Sequence, residues 1–246
     1  KDANNFLNNA MSSTGNILAF PSYPDAATGG EIFVQPCKHF YAGLGIFDGA
    51  LQDGIQTGKL GPATLFGSPD DLFYIAEAGV NWHLRQNLPG TLGVGGWHDT
   101  ANFTRFNGGS DHGTSGFYLV ADQTLYRAHP EKEDNPQGMG MFFRYGWADP
   151  HVSAIEHNFA GGLSWTGAIP KRDSDVLGIG ATCALLSRDS GAGFDDRAET
   201  TIEAFYKIQI TPWFYVQPDL QYIINPGGIE SRDNALVAIL RMSIDF

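Results

Sequence analysis

The sequence predicts an all-β protein: an antiparallel transmembrane β-barrel with about eleven strands in this chain. Three observations carry that expectation. Apolar and polar side chains alternate with a period of two along most of the chain. The three C-terminal segments, beginning near Glu199, Trp213 and Asn234, each run roughly 10–13 residues, beyond the about 5–6 of an ordinary strand and matched to the about 9–11 that a tilted membrane strand needs. The connections between segments alternate between short and long, as in bacterial barrels with short periplasmic turns and long extracellular loops.

Composition sets the limits. The chain has 246 residues, 42% hydrophobic and 17% charged, with a net charge of −12; that is enough chain for one barrel or one large core. No apolar run nears the about 18 residues of a membrane helix, which excludes helical membrane proteins and leaves barrels, whose lumen-facing residues dilute hydropathy. The opening Lys1-Asp2-Ala3-Asn4-Asn5 is polar and does not read as a signal peptide. The acidic balance argues against nucleic acid as a partner. Cys37 and Cys183 lie far apart, have no ligand spacing and give no support for a disulfide.

Taken in order, residues 1–28 read as loop, dense in Asn, Ser, Gly and Pro. A short strand over 30–35 turns at 36–38 into a second, with Phe40, Ala42, Leu44 and Ile46 on one face. A Gly/Pro-rich loop, 48–71, precedes a strand over 72–86 that sets Tyr74, Ala76, Ala78, Val80, Trp82 and Leu84 against Ile75, Glu77, Gly79, Asn81, His83 and Arg85. A turn at 87–90 leads to a strand over 91–99, a polar loop over 100–115 and a strand over 116–127. The facing of that last strand stays open, because Asp122 and Gln123 are adjacent. After a charged turn at 129–135, the strand 137–147 alternates Met139, Met141, Phe143, Tyr145 and Trp147 with Gly138, Gly140, Phe142, Arg144 and Gly146. A strand ending near Thr166 and another over 175–187 follow, with Leu177, Ile179, Ala181, Cys183 and Leu185 on one face of the latter, then a loop over 188–198 and the three final strands. Pro218 interrupts the second of these, where a lost ladder hydrogen bond predicts a bulge or local irregularity. The aromatic Phe246 falls on the short-turn rim.

If the apolar faces meet lipid, the opposite faces line the lumen. That places Glu77, Arg85, Arg144, Glu203, Lys207, Asp219, Arg241 and Asp245 in water, since Arg or Lys on the lipid side near the midplane costs about 2–4 kcal/mol. Charges of both signs around a pore hydrogen-bond neutral hydroxyls without strongly selecting an ion; they also pair across strands as simple wall residues.

Enzyme chemistry finds little footing, and the expectation is a protein that is not an enzyme and takes no cofactor. His151, Glu156 and His157 fall short of the H-x-x-E-H zinc pattern, because position 153 is Ser; no metal site is predicted. Gly43-Leu44-Gly45 is followed by no helix and is not a phosphate loop. His98-Asp99 and Ser110-Asp111-His112 have no nucleophile elbow beside them.

Several stretches carry a family resemblance. They are Gln137 to Pro150 (QGMGMFFRYGWADP), Gly161 to Pro170 (GGLSWTGAIP), Asp175 to Gly180 (DVLGIG), Ile208 to Trp213 (IQITPW) and Gln217 to Gly228 (QPDLQYIINPGG), with Gly45 to Gly49 and Ala121 to Arg127 upstream. Together they resemble the OprB-type carbohydrate-selective porins. The resemblance implies an outer-membrane barrel of about sixteen strands in a Gram-negative-type envelope, with lipid around it and small saccharides diffusing passively through it. It carries no site residue onto this stretch. The family's chains are longer, and residues 1–246 resemble their C-terminal part. An odd strand count with Phe246 periplasmic would start the chain outside the cell, and an open sheet would leave two edges in lipid. The expectation is therefore one barrel domain over 1–246, with about five more strands supplied by an upstream segment or a second chain. A plugged or scaffolding barrel and a soluble carbohydrate-binding β protein are the alternatives.

Overall fold

The computed structural model describes residues 2–14, 16–17, 26–49, 70–84, 88–132 and 135–245. Arg85, Phe246 and most of the loop expected over 48–71 lie outside the described residues. Eleven strands form one antiparallel sheet in sequence order: β1 (Gly29–Cys37), β2 (Phe40–Asp48), β3 (Leu72–Leu84), β4 (Leu88–Thr104), β5 (Ser110–Arg127), β6 (Gly138–Ala148), β7 (Ile155–Thr166), β8 (Val176–Leu186), β9 (Ala198–Thr211), β10 (Phe214–Ile224) and β11 (Ala235–Ile244). Among the described residues β1 pairs only with β2 and β11 only with β10. The sheet curls, because Gln35 of β1 and Lys207 of β9 line the same cavity.

The two faces are inverted relative to a water-soluble protein. Leu44, Val94, Met141, Leu163, Ile179, Ile202, Leu220 and Leu240 face outward and are 39–58% exposed, whereas Arg144, Glu203, Gln217 and Asp219 are buried on the concave side. Strand parity does this: Leu220 pairs with Ala204 and Ala238 on the outside, and Asp219 with Phe205 and Ile239 on the inside. Aromatics gather on the outer face near both rims. Phe117, Tyr145, Trp147, His157 and Phe159 cluster at the long-loop end, with Phe117–Trp147 centroids 5.6 Å apart and Tyr145–Phe159 4.9 Å apart. Trp165 and Trp213 stand exposed at the short-turn end. An aliphatic band between two aromatic girdles is the surface that a bilayer demands.

Three expectations change. The polar stretch 100–115 is not a loop: β4 and β5 continue to Thr104 and from Ser110, with a register shift between Asp99 and Asn102. The Asp99 side chain accepts the Ala101 N–H there (2.9 Å). Ala101 and Phe103 are buried, because the hairpin packs on neighbouring long loops, with Phe106 N–H bonded to His151 O (3.0 Å). Most of the turn expected at 87–90 is likewise strand, since β4 already begins at Leu88. At Pro218 the register does not shift. Pro218 pairs with Leu240 in an unbroken ladder to β11, and the β9 partners Val216↔Ile208 and Asp219↔Phe205 keep the same register on either side. The one register shift between β9 and β10 falls instead at Phe214/Tyr215.

At the short-turn rim Asp175 ties the β7–β8 turn to β9. It accepts from Arg172 Nε (2.7 Å), from the Gln209 amide (3.0 Å) and from the Tyr206 hydroxyl. Burial pushes its carboxyl up, and the bonds from Tyr206, Arg172 and Gln209 outweigh that and hold it below the usual carboxylate range. A depressed folded pKa stabilises the fold above the unfolded value of about 3.9 and ceases to do so as pH falls through the folded value. Asp175→Asn is therefore expected to be less stable than the parent at neutral pH and to lose less stability on acidification below about pH 4. Urea midpoints against pH measure this; parallel curves for the two proteins would contradict it.

The outer face gives a second expectation. Leu240 points outward at mid-strand and Ser243, beside Tyr215, points inward. Leu240→Arg should block assembly, at a cost of about 2–4 kcal/mol, while Ser243→Arg assembles. The folded fraction recovered from membranes reports the difference, and equal recovery would refute the facing.

Candidate functional site

The concave face carries the site, and a strap formed by residues 2–14 and 16–17 lies on it. Read as loop from its composition, this segment packs against β6 to β10. It holds a 3₁₀ turn (Ala3–Asn5) and one helical turn, α1 (Asn9–Ser12), whose first turn is capped by the Asn8 side chain accepting from the Ala10 amide (3.0 Å). Glu203 accepts the amides of Leu7 (2.6 Å) and Asn8 (3.0 Å). Gln217 Nε2 donates to Asn5 O (2.8 Å), and Ser164 Oγ donates to Asp2 Oδ1 (2.6 Å). Phe6 sits edge-on between Phe142 (5.2 Å) and Phe205 (4.9 Å), in one apolar cluster with Ala3, Met11, Ala160 and Val176. Two wall glycines make the approach feasible: a Cβ at Gly140 would stand 2.3 Å from the Asp2 carboxylate, and one at Gly180 2.8 Å from the Phe6 ring.

The charges singled out from the sequence take distinct places. Glu203 and Asp219, expected in water, are buried beneath the strap, where Gln221 Nε2 donates to Asp219 Oδ1 (3.1 Å). Arg144 is also buried on the inner face. It pairs with Asp122 (2.8 Å) and donates to Ala121 O (2.8 Å) and Phe143 O (2.9 Å). Glu77 lies on the β3 inner face and accepts from the Tyr41 hydroxyl (2.8 Å). Lys207 Nζ lies 4.1 Å and Arg241 Cζ 5.9 Å from the Tyr215 ring centroid. Asp245 is exposed beyond the end of β11, and Arg85 lies outside the described residues. The structure thus groups Lys207 with Arg241 and Glu203 with Asp219, and leaves Glu77 and Arg144 with partners of their own.

Those partners, Tyr41, Asp122 and Tyr215, were not legible as site residues. Parity from Glu77 and Arg144 points to Tyr41 and Asp122 only once the register is known: Gly79↔Tyr41 and Val120↔Arg144. The adjacent pair left open in the sequence resolves cleanly. Asp122 faces inward to Arg144, and Gln123 bonds the outward Trp82 Nε1 (2.8 Å). The histidines weighed for zinc have other roles. His151 meets Asp189 (3.3 Å), Glu156 pairs with Arg197 (2.8 Å), and His157 lies 2.9 Å from the Tyr145 hydroxyl.

Beside the strap a cavity of about 900 Å³ opens at the short-turn end. Asp2 and Asn5 of the strap form one side, and Asn81, Thr91, Asp122 and Lys207 of the wall form the other. Its lining is rich in amide, hydroxyl and carboxylate groups, a donor and acceptor set suited to a polyhydroxylated solute.

The family described as "Carbohydrate-selective porin, OprB family" matches residues 1–246. The chain belongs to the OprB family. It is 27% identical over 157 residues to Porin B of Pseudomonas aeruginosa, a match covering 56% of this chain and 33% of that protein. It is 24% identical over 181 residues to the putative porin QuiX of Acinetobacter baylyi, covering 65% and 41%. The high-pH structure of Pseudomonas putida OprB superposes with a TM-score of 0.77 at 23% identity, over 92% of this chain and 60% of that one. Its low-pH structure gives 0.60 at 21% identity, over 88% and 54%. The chain thus spans 33–60% of these proteins. Its fold is that of an outer-membrane β-barrel, and membership of the family places it in the outer membrane of a Gram-negative-type envelope.

Proposed function

We propose that this OprB-family protein is a passive diffusion pore for small saccharides, a channel rather than an enzyme. The observation that carries the reading is the concave wall, where charged and polar side chains are held in pairs around a cavity of about 900 Å³. Paired charges of both signs offer hydrogen bonds to neutral hydroxyls while presenting little net field to ions. The strap weighs toward a plugged barrel, yet it covers the β6–β10 wall and leaves the cavity open beside it, which favours a narrowed pore. Asp2 and Asn5 then form part of the solute path, and Glu203 anchors the strap that sets its width.

The barrel is completed by strands beyond the eleven described. The relatives' greater length supports this, as do the edges of β1 and β11, which have no second partner strand among the described residues, since each unpaired backbone group in hydrocarbon costs several kcal/mol. Liposomes holding the intact protein should swell in isosmotic glucose, insensitive to ionophores, and Glu203→Ala should raise single-channel conductance by freeing the strap. An intact protein that conducts ions yet excludes monosaccharides would overturn the saccharide reading. An unchanged conductance in Glu203→Ala would overturn the strap's role.

A further inference from the structure

We propose that Lys207 and Arg241, set against the ring of Tyr215, form a station for the carboxylate of acidic monosaccharides such as hexuronates. The inference rests on the pore reading and names a solute class for it. The three residues come from adjacent strands of the inner wall: Lys207 from β9, Tyr215 from β10 and Arg241 from β11, where Arg241 pairs across with Gln217. Tyr215 is 7% exposed, so its ring is a fixed surface. Lys207 Nζ lies 4.1 Å and Arg241 Cζ 5.9 Å from its centroid, within cation–π range. That contact orients both cations without neutralising them.

No carboxylate among the described residues comes within ion-pair distance of either group. This matters in a chain of net charge −12, because the nearby inner-wall carboxylates are engaged. Arg144 holds Asp122, Glu203 receives two strap amides, and Glu77 receives the Tyr41 hydroxyl. Asp2, the remaining carboxylate at the cavity, accepts from Ser164. Lys207 lines the cavity together with Asn81 and Thr91. An acidic sugar there would set its carboxylate on the cation pair and its hydroxyls toward the amide and hydroxyl groups. A neutral sugar makes only the second set of contacts, so the pair discriminates by charge.

The test uses the intact protein in bilayers: reversal potentials under gradients of sodium glucuronate and of sodium chloride, with liposome swelling in glucose alongside. The double variant Lys207→Gln/Arg241→Gln is expected to lower glucuronate permeability relative to sodium about threefold or more and to reduce glucose swelling and chloride permeability less. Lys207→Arg, which keeps the charge, should retain glucuronate permeability. Unchanged glucuronate permeability with glucose still passing overturns the station alone. An equal loss for chloride overturns the saccharide assignment, and an equal loss for glucose shows a damaged pore and overturns it too. A parent protein that passes neither glucose nor glucuronate overturns the pore reading and the station with it.

Discussion

Backbone pairing in hydrocarbon is the constraint on which the rest of this structure depends. With no water to satisfy it, each N–H and C=O in the bilayer needs a partner on the next strand, so the chain runs as long antiparallel neighbours in sequence order. That pairing fixes the side-chain period at two, and the period splits the sheet into a lipid face and a lumen face. Leu220 and Asp219 are adjacent in sequence and sit in opposite solvents. A one-residue slip would put Asp219 and Glu203 in lipid, so register and facing are specified together.

Once the inner face is polar, its charges need partners of their own, because the sheet's curl and the strap withdraw much of the wall from water. Arg144 is the clearest case: its guanidinium is satisfied by the Asp122 carboxylate and by two main-chain carbonyls. Glu203 is satisfied by main-chain amides of the strap instead, so wall and strap depend on one another. The missing side chains at Gly140 and Gly180 are part of the same arrangement, since they give room for Asp2 and Phe6. At the short-turn end Lys207 and Arg241 stand around the Tyr215 ring with no carboxylate of the described residues within ion-pair distance.

The strands were legible because their physics is local. The alternation of Met139, Met141, Phe143 and Tyr145 with Gly138, Gly140, Phe142 and Arg144 reports facing directly, and β6 runs over Gly138–Ala148 with that facing. The extension of β4 and β5 was hidden, because Asp99 to Thr114 leave the apolar band and Ala101 and Phe103 are the buried hydrophobics among them. Pro218 was legible in part: no bulge forms and the register holds, and the irregularity is a gap in the ladder to β9 at Gln217 and Pro218. The strap was illegible for a different reason. Its Asn- and Ser-rich composition has no period, and its place is set by contacts some 160 to 210 positions away along the chain, such as Asp2 with Ser164 and Asn5 with Gln217. Gly140 stood in the strand alternation and Gly180 in the DVLGIG stretch, but the segment they accommodate was not visible.

The central claim, lipid on one face of every strand and an aqueous lumen on the other, is tested most directly on β11. Spin labels would be placed one at a time from Leu236 to Ser243 in a variant lacking Cys37 and Cys183, in the intact protein in outer-membrane lipid. Oxygen, which partitions into lipid, should reach the labels at Leu236, Ala238, Leu240 and Met242, and a polar nickel reagent those at Val237, Ile239, Arg241 and Ser243. Uniform accessibility, or a period other than two, would contradict the account.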